Sequence, residues 1–221
     1  MCQEEIILAS SSPRRRELFA LFKLPYCCVS ADINENQLPN ENPIDYVTRL
    51  ALQKGEAINA ENLVLSADTI VVCEGEVLGK PTNDHEAREM LRRMRGKSHS
   101  VLTALALRQK STGLLLQDVC HTQVLMRSYS DAEIENYIQS GDYRDKAGGY
   151  AIQHKAFHPV AAVQGCYANV MGLPLCNLTC LLQHAGIAVK VDIPQVCQQH
   201  LGITCRSEER RVGKECRSRW S

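Results

Sequence analysis

The chain predicts an α/β fold, a single unit built on a sheet of mixed strand direction. Three observations carry that expectation. The 221 residues are 44% hydrophobic, enough to bury one sizeable core. Short apolar runs bounded by turn residues alternate with amphipathic helical stretches. No repeat or low-complexity linker divides them.

The elements follow in order. Ile6, Ile7, Leu8 and Ala9 form an apolar run ending in three serines, which reads as a buried strand. Ser12-Pro13 opens a helix, with serine as cap, proline in the first turn and Leu18, Phe19, Leu21 and Phe22 as its apolar face. Residues 26–30 predict a second strand. Residues 43–60 predict an amphipathic helix, with Val47, Leu50, Ala51, Lys54 and Ile58 at helical spacing. Runs at 63–65 and 70–72 flank Ser66-Ala67-Asp68-Thr69, and Glu74-Gly75-Glu76 returns a hairpin through Val77 and Leu78. Residues 84–94 predict a helix closed by Gly96, with basic residues in its last turn. Two long strands are expected at 98–108 and 117–127. Ser130-Asp131-Ala132-Glu133 is a capping box that opens another helix. The last third predicts short strands, a glycine-rich segment at Gly148-Gly149 and a helix over 174–184.

Composition narrows the function classes. Basic and acidic residues number 25 each, so net charge gives no case for nucleic-acid binding. No apolar run approaches the roughly 18 residues of a membrane span. The start, MCQEEIILAS, carries acids where a secretion signal carries bases, so a cytoplasmic location is expected. The 11 cysteines include no C-x-x-C pair, which predicts reduced thiols used as small hydrophobes and no zinc site.

The stretch 206–221, RSEERRVGKECRSRWS, has no period of 2 or 3.6. It back-translates into a string that resembles a widely used short-read sequencing adapter over its whole length. We expect it to be translated adapter and set it aside; a genomic frame running uninterrupted through the Cys205 codon would reject this. Without its six basic and three acidic residues the remainder holds 19 basic and 22 acidic, a net of −3. The expected organisation is a domain over 1–190, a C-terminal extension over 191–205 and the artefact tail.

Several segments bear chemistry. Ser10-Ser11-Ser12-Pro13-Arg14-Arg15-Arg16 follows the first strand and opens a helix, whose free N–H groups and positive end suit a phosphate. Three arginines are unfavourable there without an anion; the alternative is a capped helix with a solvated basic turn. Asp68 closes an apolar run, where an acid must be hydrated, paired or metal-bound, or else caps a turn. Glu35 lies in a polar loop with Asp32. Lys54 shares a helix face with Ala51 and Ile58, as a snorkelling lysine would, and Lys80 follows the hairpin. The small residues of Asp145-Lys146-Ala147-Gly148-Gly149-Tyr150-Ala151-Ile152-Gln153 allow close approach of a ligand or of another strand. The seven histidines form no recognisable metal or triad pattern.

Taken in order, LASSSPRRREL, SADINE, LALQKGEA, LSADTIVVCEGEVLGKP, MLRRMRGKSHSVLTALAL, DKAGGYAIQ and NVMGLPL resemble the Maf family of nucleoside triphosphate pyrophosphatases. The resemblance implies a mixed, bent sheet flanked by helices around a nucleotide cleft, similar to inosine triphosphate pyrophosphatases. It implies hydrolysis of a nucleoside triphosphate to the monophosphate and pyrophosphate with a divalent cation, Mg²⁺ or alternatively Mn²⁺, and a homodimer. The DKAGxYxIQ form resembles the branch that prefers dTTP and UTP. By the same resemblance Asp68 is the proton acceptor, and Arg14, Thr69 and Gln153 are specificity positions. Ser12 and Arg15 belong to the phosphate motif, Glu35, Lys54 and Lys80 line the cleft, and Lys146 lies in the matching loop. Glu35 and Asp68 would hold the metal. A nucleotide-binding regulator of cell division with little catalysis is the alternative. Ala151 and His154 depart from the usual Ala-Tyr-Gly-Ile-Gln-Gly stretch and would strain the backbone if either position needed a positive φ.

Overall fold

Ile6, Ile7, Leu8 and Ala9 are all buried in strand β1 (Ile6–Ala9). In the computed structural model, which describes residues 5–205, β1 pairs in parallel with β2 (Tyr26–Val29) on one side and β3 (Val64–Cys73) on the other. The tail 206–221 lies outside the described residues. Beyond β3 the direction reverses. Strands β5 (Ser98–Gln109), β6 (Leu114–Met126) and β7 (Val160–Gln164) follow antiparallel, giving the order β2-β1-β3-β5-β6-β7. The short β4 (Glu76–Leu78) pairs antiparallel with the far end of β3. The sheet is mixed, as expected.

Both faces are covered. Leu105 and Leu107 of β5 join one cluster with Leu18, Phe19 and Phe22, around helix α1 (Pro13–Ala20). Ala104 and Ala106 join another, with Val47 and Ala51 of α2 (Pro43–Glu56). Successive strand residues point to opposite faces, so β5 is buried on both sides. A third cluster packs α3 (Asp84–Met94) and α4 (Asp131–Gln139) with Val71, Val101 and Val124. The Ser130–Glu133 capping box is present on α4, as expected.

Four boundaries differ from expectation. Helix α2 stops at Glu56, because the Ile58 amide turns back to the Gly55 carbonyl and Ile58 buries against Ile7, Ala9 and Val64. The runs at 63–65 and 70–72 are one ten-residue strand, β3, since β5 pairs with it without interruption from Val64 to Val72. Strand β6 starts three residues early, extending the ladder to Leu114 opposite Gln109. Among the described residues, the last third has one strand and three α-helices, α5 (Tyr167–Val170), α6 (Leu175–His184) and α7 (Ile193–Leu201). The four residues of α5 are too few for a helical period, and α7 buries only Ile193 and Cys197. Neither Ala151 nor His154 takes a positive φ, so the feared strain does not arise. No helix among the described residues is long and apolar enough to cross a membrane.

Candidate active site

A gap in strand pairing creates the cleft. On one edge of β3, β1 reaches only as far as Ser66, and β4 joins only from Val71. Neither strand covers Ala67–Ile70 on that side. Ligand sites of α/β sheets lie in crevices of this kind, outside the carboxyl ends of parallel strands. A cavity of about 270 Å³ opens there, lined by the 9–15 segment, Glu35, Lys54, Asp68, Thr69, Lys80 and Lys146 among others. Asp68 is therefore mid-strand, not at a strand end as its sequence context suggested. Alternation turns Asp68 and Thr69 to opposite faces, yet both border the cavity because the edge between them is bare.

On the α2 face, Lys54 is the centre. Its ammonium lies 2.5 Å from Asp68 Oδ1 and 2.6 Å from Glu35 Oε1. Lys54 is only 8% exposed and Asp68 6%, so the charges are compensated by each other and not by water. Gly55 makes this approach feasible, since a Cβ there would sit 2.8 Å from Ser66 Oγ on β3. Partial burial pushes the Glu35 carboxyl up, but the hydrogen bond and charge of Lys54, with Lys80 and Arg15, outweigh it and hold Glu35 below the usual carboxylate range. Lys80, more exposed, lies 3.8 Å from Glu35. Tyr46 donates to the Glu35 carbonyl at 2.6 Å and anchors the acidic loop to α2.

On the other face, α1 supplies cations. Ser12 caps the helix, its hydroxyl accepting from the Arg15 amide at 3.4 Å. Arg15 donates from Nε to the Gly172 carbonyl at 2.8 Å and from Nη2 to Thr69 Oγ1 at 3.0 Å. Burial lowers the Arg15 pKa, with Asp68 opposing; a guanidinium starts so high that it stays charged at neutral pH. Arg14 lies 3.8 Å from Asp145, and its buried Nε has no hydrogen-bond partner. Gly172 sits at φ +104°, a conformation few other residues adopt, and a Cβ there would come within 3.4 Å of Arg15 Nε and Thr69 Oγ1.

The 145–150 loop forms the wall. Lys146, 7% exposed, pairs with Asp145 at 2.5 Å. The Gly148 amide donates to the Gly79 carbonyl at 2.9 Å and ties the loop to the hairpin end. Nine of the ten sequence-predicted site residues thus converge on one cavity. The tenth, Gln153, is exposed and does not line it. Sequence reasoning missed Tyr46 and Gly172, which also line the cavity. The spacing Tyr46-Leu50-Lys54, one step of four residues after another along one helix face, carried a signal for the first. Among the described residues no group of three or more His, Cys, Asp or Glu side chains is arranged to hold a metal ion by itself.

Behind the wall, His99 is 2% exposed, and its Nε2 meets the Tyr150 hydroxyl at 2.8 Å. Burial pushes its pKa down to about 4. The folded state thus binds this proton less readily than the unfolded chain, whose histidine titrates near 6.5. Stability is full above about pH 6.5 and is lost as pH falls toward 4, by about 3 kcal/mol at most. Urea titrations at pH 7 and 4.5 should show this loss, and His99→Gln should flatten it; an equal slope in the variant would remove His99 as the cause.

A family model described as Maf-like protein matches residues 5–185. The chain is 45% identical to a dTTP/UTP pyrophosphatase of Anaeromyxobacter dehalogenans over 191 residues, 86% of this chain and 98% of that protein. It is 41% identical to a dTTP/UTP pyrophosphatase of Geobacter sp. strain M21, over 84% of this chain and 98% of that one. Among solved structures, the Staphylococcus aureus Ham1 protein covers 56% of this chain and 72% of its own, at 13% identity and a TM-score of 0.42, a likeness too slight to carry weight.

Proposed function

Because the chain belongs to the Maf-like family, whose matched stretch takes in every cleft residue described above, we propose that it hydrolyses dTTP and UTP to the monophosphate and pyrophosphate. The names of its relatives support the substrates. The observation that carries the chemistry is the division of charge within one cavity: two carboxylates on one buried ammonium, facing the cationic N-terminus of α1.

Attack of water on the α-phosphorus builds negative charge on phosphoryl oxygens and on departing pyrophosphate. Arg14 and Arg15 offer guanidinium donors suited to those oxygens, joined by the amides of the capped α1 N-terminus. Arg14 Nε, buried and without a partner, has bonding capacity in reserve. Lys80 and Lys146 add positive charge from the hairpin and the wall. Asp68 accepts the proton of the attacking water, while the Lys54 ammonium at 2.5 Å holds its carboxylate in place.

Glu35 and Asp68 also suit a divalent cation, because Mg²⁺ is commonly held by one or two carboxylates with phosphate oxygens and waters completing its shell. Bound there, it would neutralise charge on the triphosphate; Mn²⁺ accepts the same donors. We read the chain further as a cytoplasmic homodimer, with the family match over residues 5–185 falling inside the domain expected over 1–190.

With Mg²⁺ and UTP or dTTP, the purified chain should release pyrophosphate and monophosphate in equal amounts. Orthophosphate as sole product would reject the reaction. Nucleotide binding without turnover would favour the regulator.

A further inference from the structure

Thr69 and Thr103 are directly opposed on β3 and β5, and a short chain of hydrogen bonds runs through them. Arg15 Nη2 donates to Thr69 Oγ1 at 3.0 Å. The Thr69 and Thr103 hydroxyl oxygens lie 2.9 Å apart, and Thr103 Oγ1 lies 3.1 Å from the Asn169 main-chain carbonyl. Each hydroxyl has one proton to give. A carbonyl only accepts, so Thr103 gives its proton to Asn169. The 2.9 Å contact then requires Thr69 to be the donor. The reverse orientation would leave two oxygens facing each other at Asn169 with no proton between them.

The direction is held from behind. Asn169 Nδ2 donates to the Val101 carbonyl at 3.0 Å and to Thr122 Oγ1 at 2.9 Å, and the Asn169 carbonyl also accepts the Gly172 amide. Thr103 and Asn169 are wholly buried, so no solvent water substitutes for either partner. Thr69, half-buried, borders the cavity. Its oxygen has accepted from Arg15 and has given away its proton. What remains for a ligand is one acceptor lone pair.

We propose that Thr103 is a specificity-positioning residue: by taking the Thr69 proton, it makes Thr69 an acceptor-only group in the cleft. The part of the nucleotide that reaches Thr69 is then an N–H or O–H donor and not a phosphate oxygen. The imide N–H of uracil or thymine and a ribose hydroxyl share that chemistry. Cytosine presents an acceptor at the corresponding ring nitrogen. This inference rests on the pyrophosphatase reading above.

The test is pyrophosphate release by the full chain with Mg²⁺, measured as kcat/KM on UTP, CTP, 2′-deoxy-UTP and 3′-deoxy-UTP. Thr103→Val keeps the shape but frees the Thr69 proton to turn toward the cleft, whereas Thr103→Ser keeps the chain intact. If the donor is the base, Thr103→Val lowers the UTP-over-CTP preference by about tenfold. If it is the sugar, the preference for UTP over one of the deoxy substrates falls instead. Thr103→Ser retains the wild-type ratios in both cases. Should Thr103→Val fail to fold, Thr69→Val deletes the acceptor and repeats the loss. A uniform fall on all four substrates, or unmoved ratios, would overturn the proposal. A wild type that turns over none of them rejects the pyrophosphatase reading itself.

Discussion

Asp68→Asn should lower kcat for pyrophosphate release from UTP by about three orders of magnitude at saturating Mg²⁺ and nucleotide. A positioned general base contributes roughly 10²–10⁴ in rate. It acts in the transition state, so its loss falls on kcat. Asparagine matches aspartate in size and still offers an oxygen to Lys54, whose ammonium lies 2.5 Å from Asp68 Oδ1. The strand around it is secured by β5 along nine residue pairs from Val64 to Val72, so the variant should fold. Steady-state kinetics with a pyrophosphate-coupled assay, beside a thermal melt, provide the check. Turnover within tenfold of wild type in a folded Asp68→Asn protein would remove Asp68 from the role of base.

Lys54→Met should have the largest effect on stability. The ammonium is the partner of both Asp68 and Glu35. Removing it leaves a buried carboxylate without compensation, a cost of about 3–5 kcal/mol in comparable pairs. The sign with pH is opposite for the two proteins. In wild type, Glu35 is held below its ordinary range; its contribution is present above that range and is lost as pH falls through the lowered value. In the variant, burial without Lys54 favours the protonated acids, so folding is helped as pH falls and the deficit narrows. Urea unfolding of both proteins at pH 8 and pH 5 measures this. A deficit of the same size at both pH values would mean that lost packing of the lysine stem, and not the buried charge, destabilises the variant.

Local chemistry made much of the fold legible. The Ser12-Pro13 start, the Ser130–Glu133 capping box and the closure of α3 at Gly96 depend on residues within one turn of each other, and each stands where the sequence put it. Strand β1 was visible as an apolar run because it is buried on both faces. The continuity of β3 was not, because Ser66, Asp68 and Thr69 interrupt its apolar pattern and only pairing with β5 holds them extended. Helix α5 lay below the length at which a period shows.

By itself, the sequence determined the α/β class, most helix starts, the ordered motifs of the Maf-like family and the residue types that could bind phosphate or hold a cation. These follow from backbone preference, apolar spacing and side-chain chemistry, all short-range. Only the tertiary structure decided how those residues meet. It set Lys54 between two acids, one 14 residues away and the other 19. It also bared the edge of β3 so that neighbours on opposite faces share a cavity, and left Gln153 outside it. The direction of the Thr69–Thr103 hydrogen bond belongs here too, since it depends on a carbonyl 66 residues from Thr103. Such distances along the chain are closed only by sheet pairing and helix packing, which no local pattern encodes.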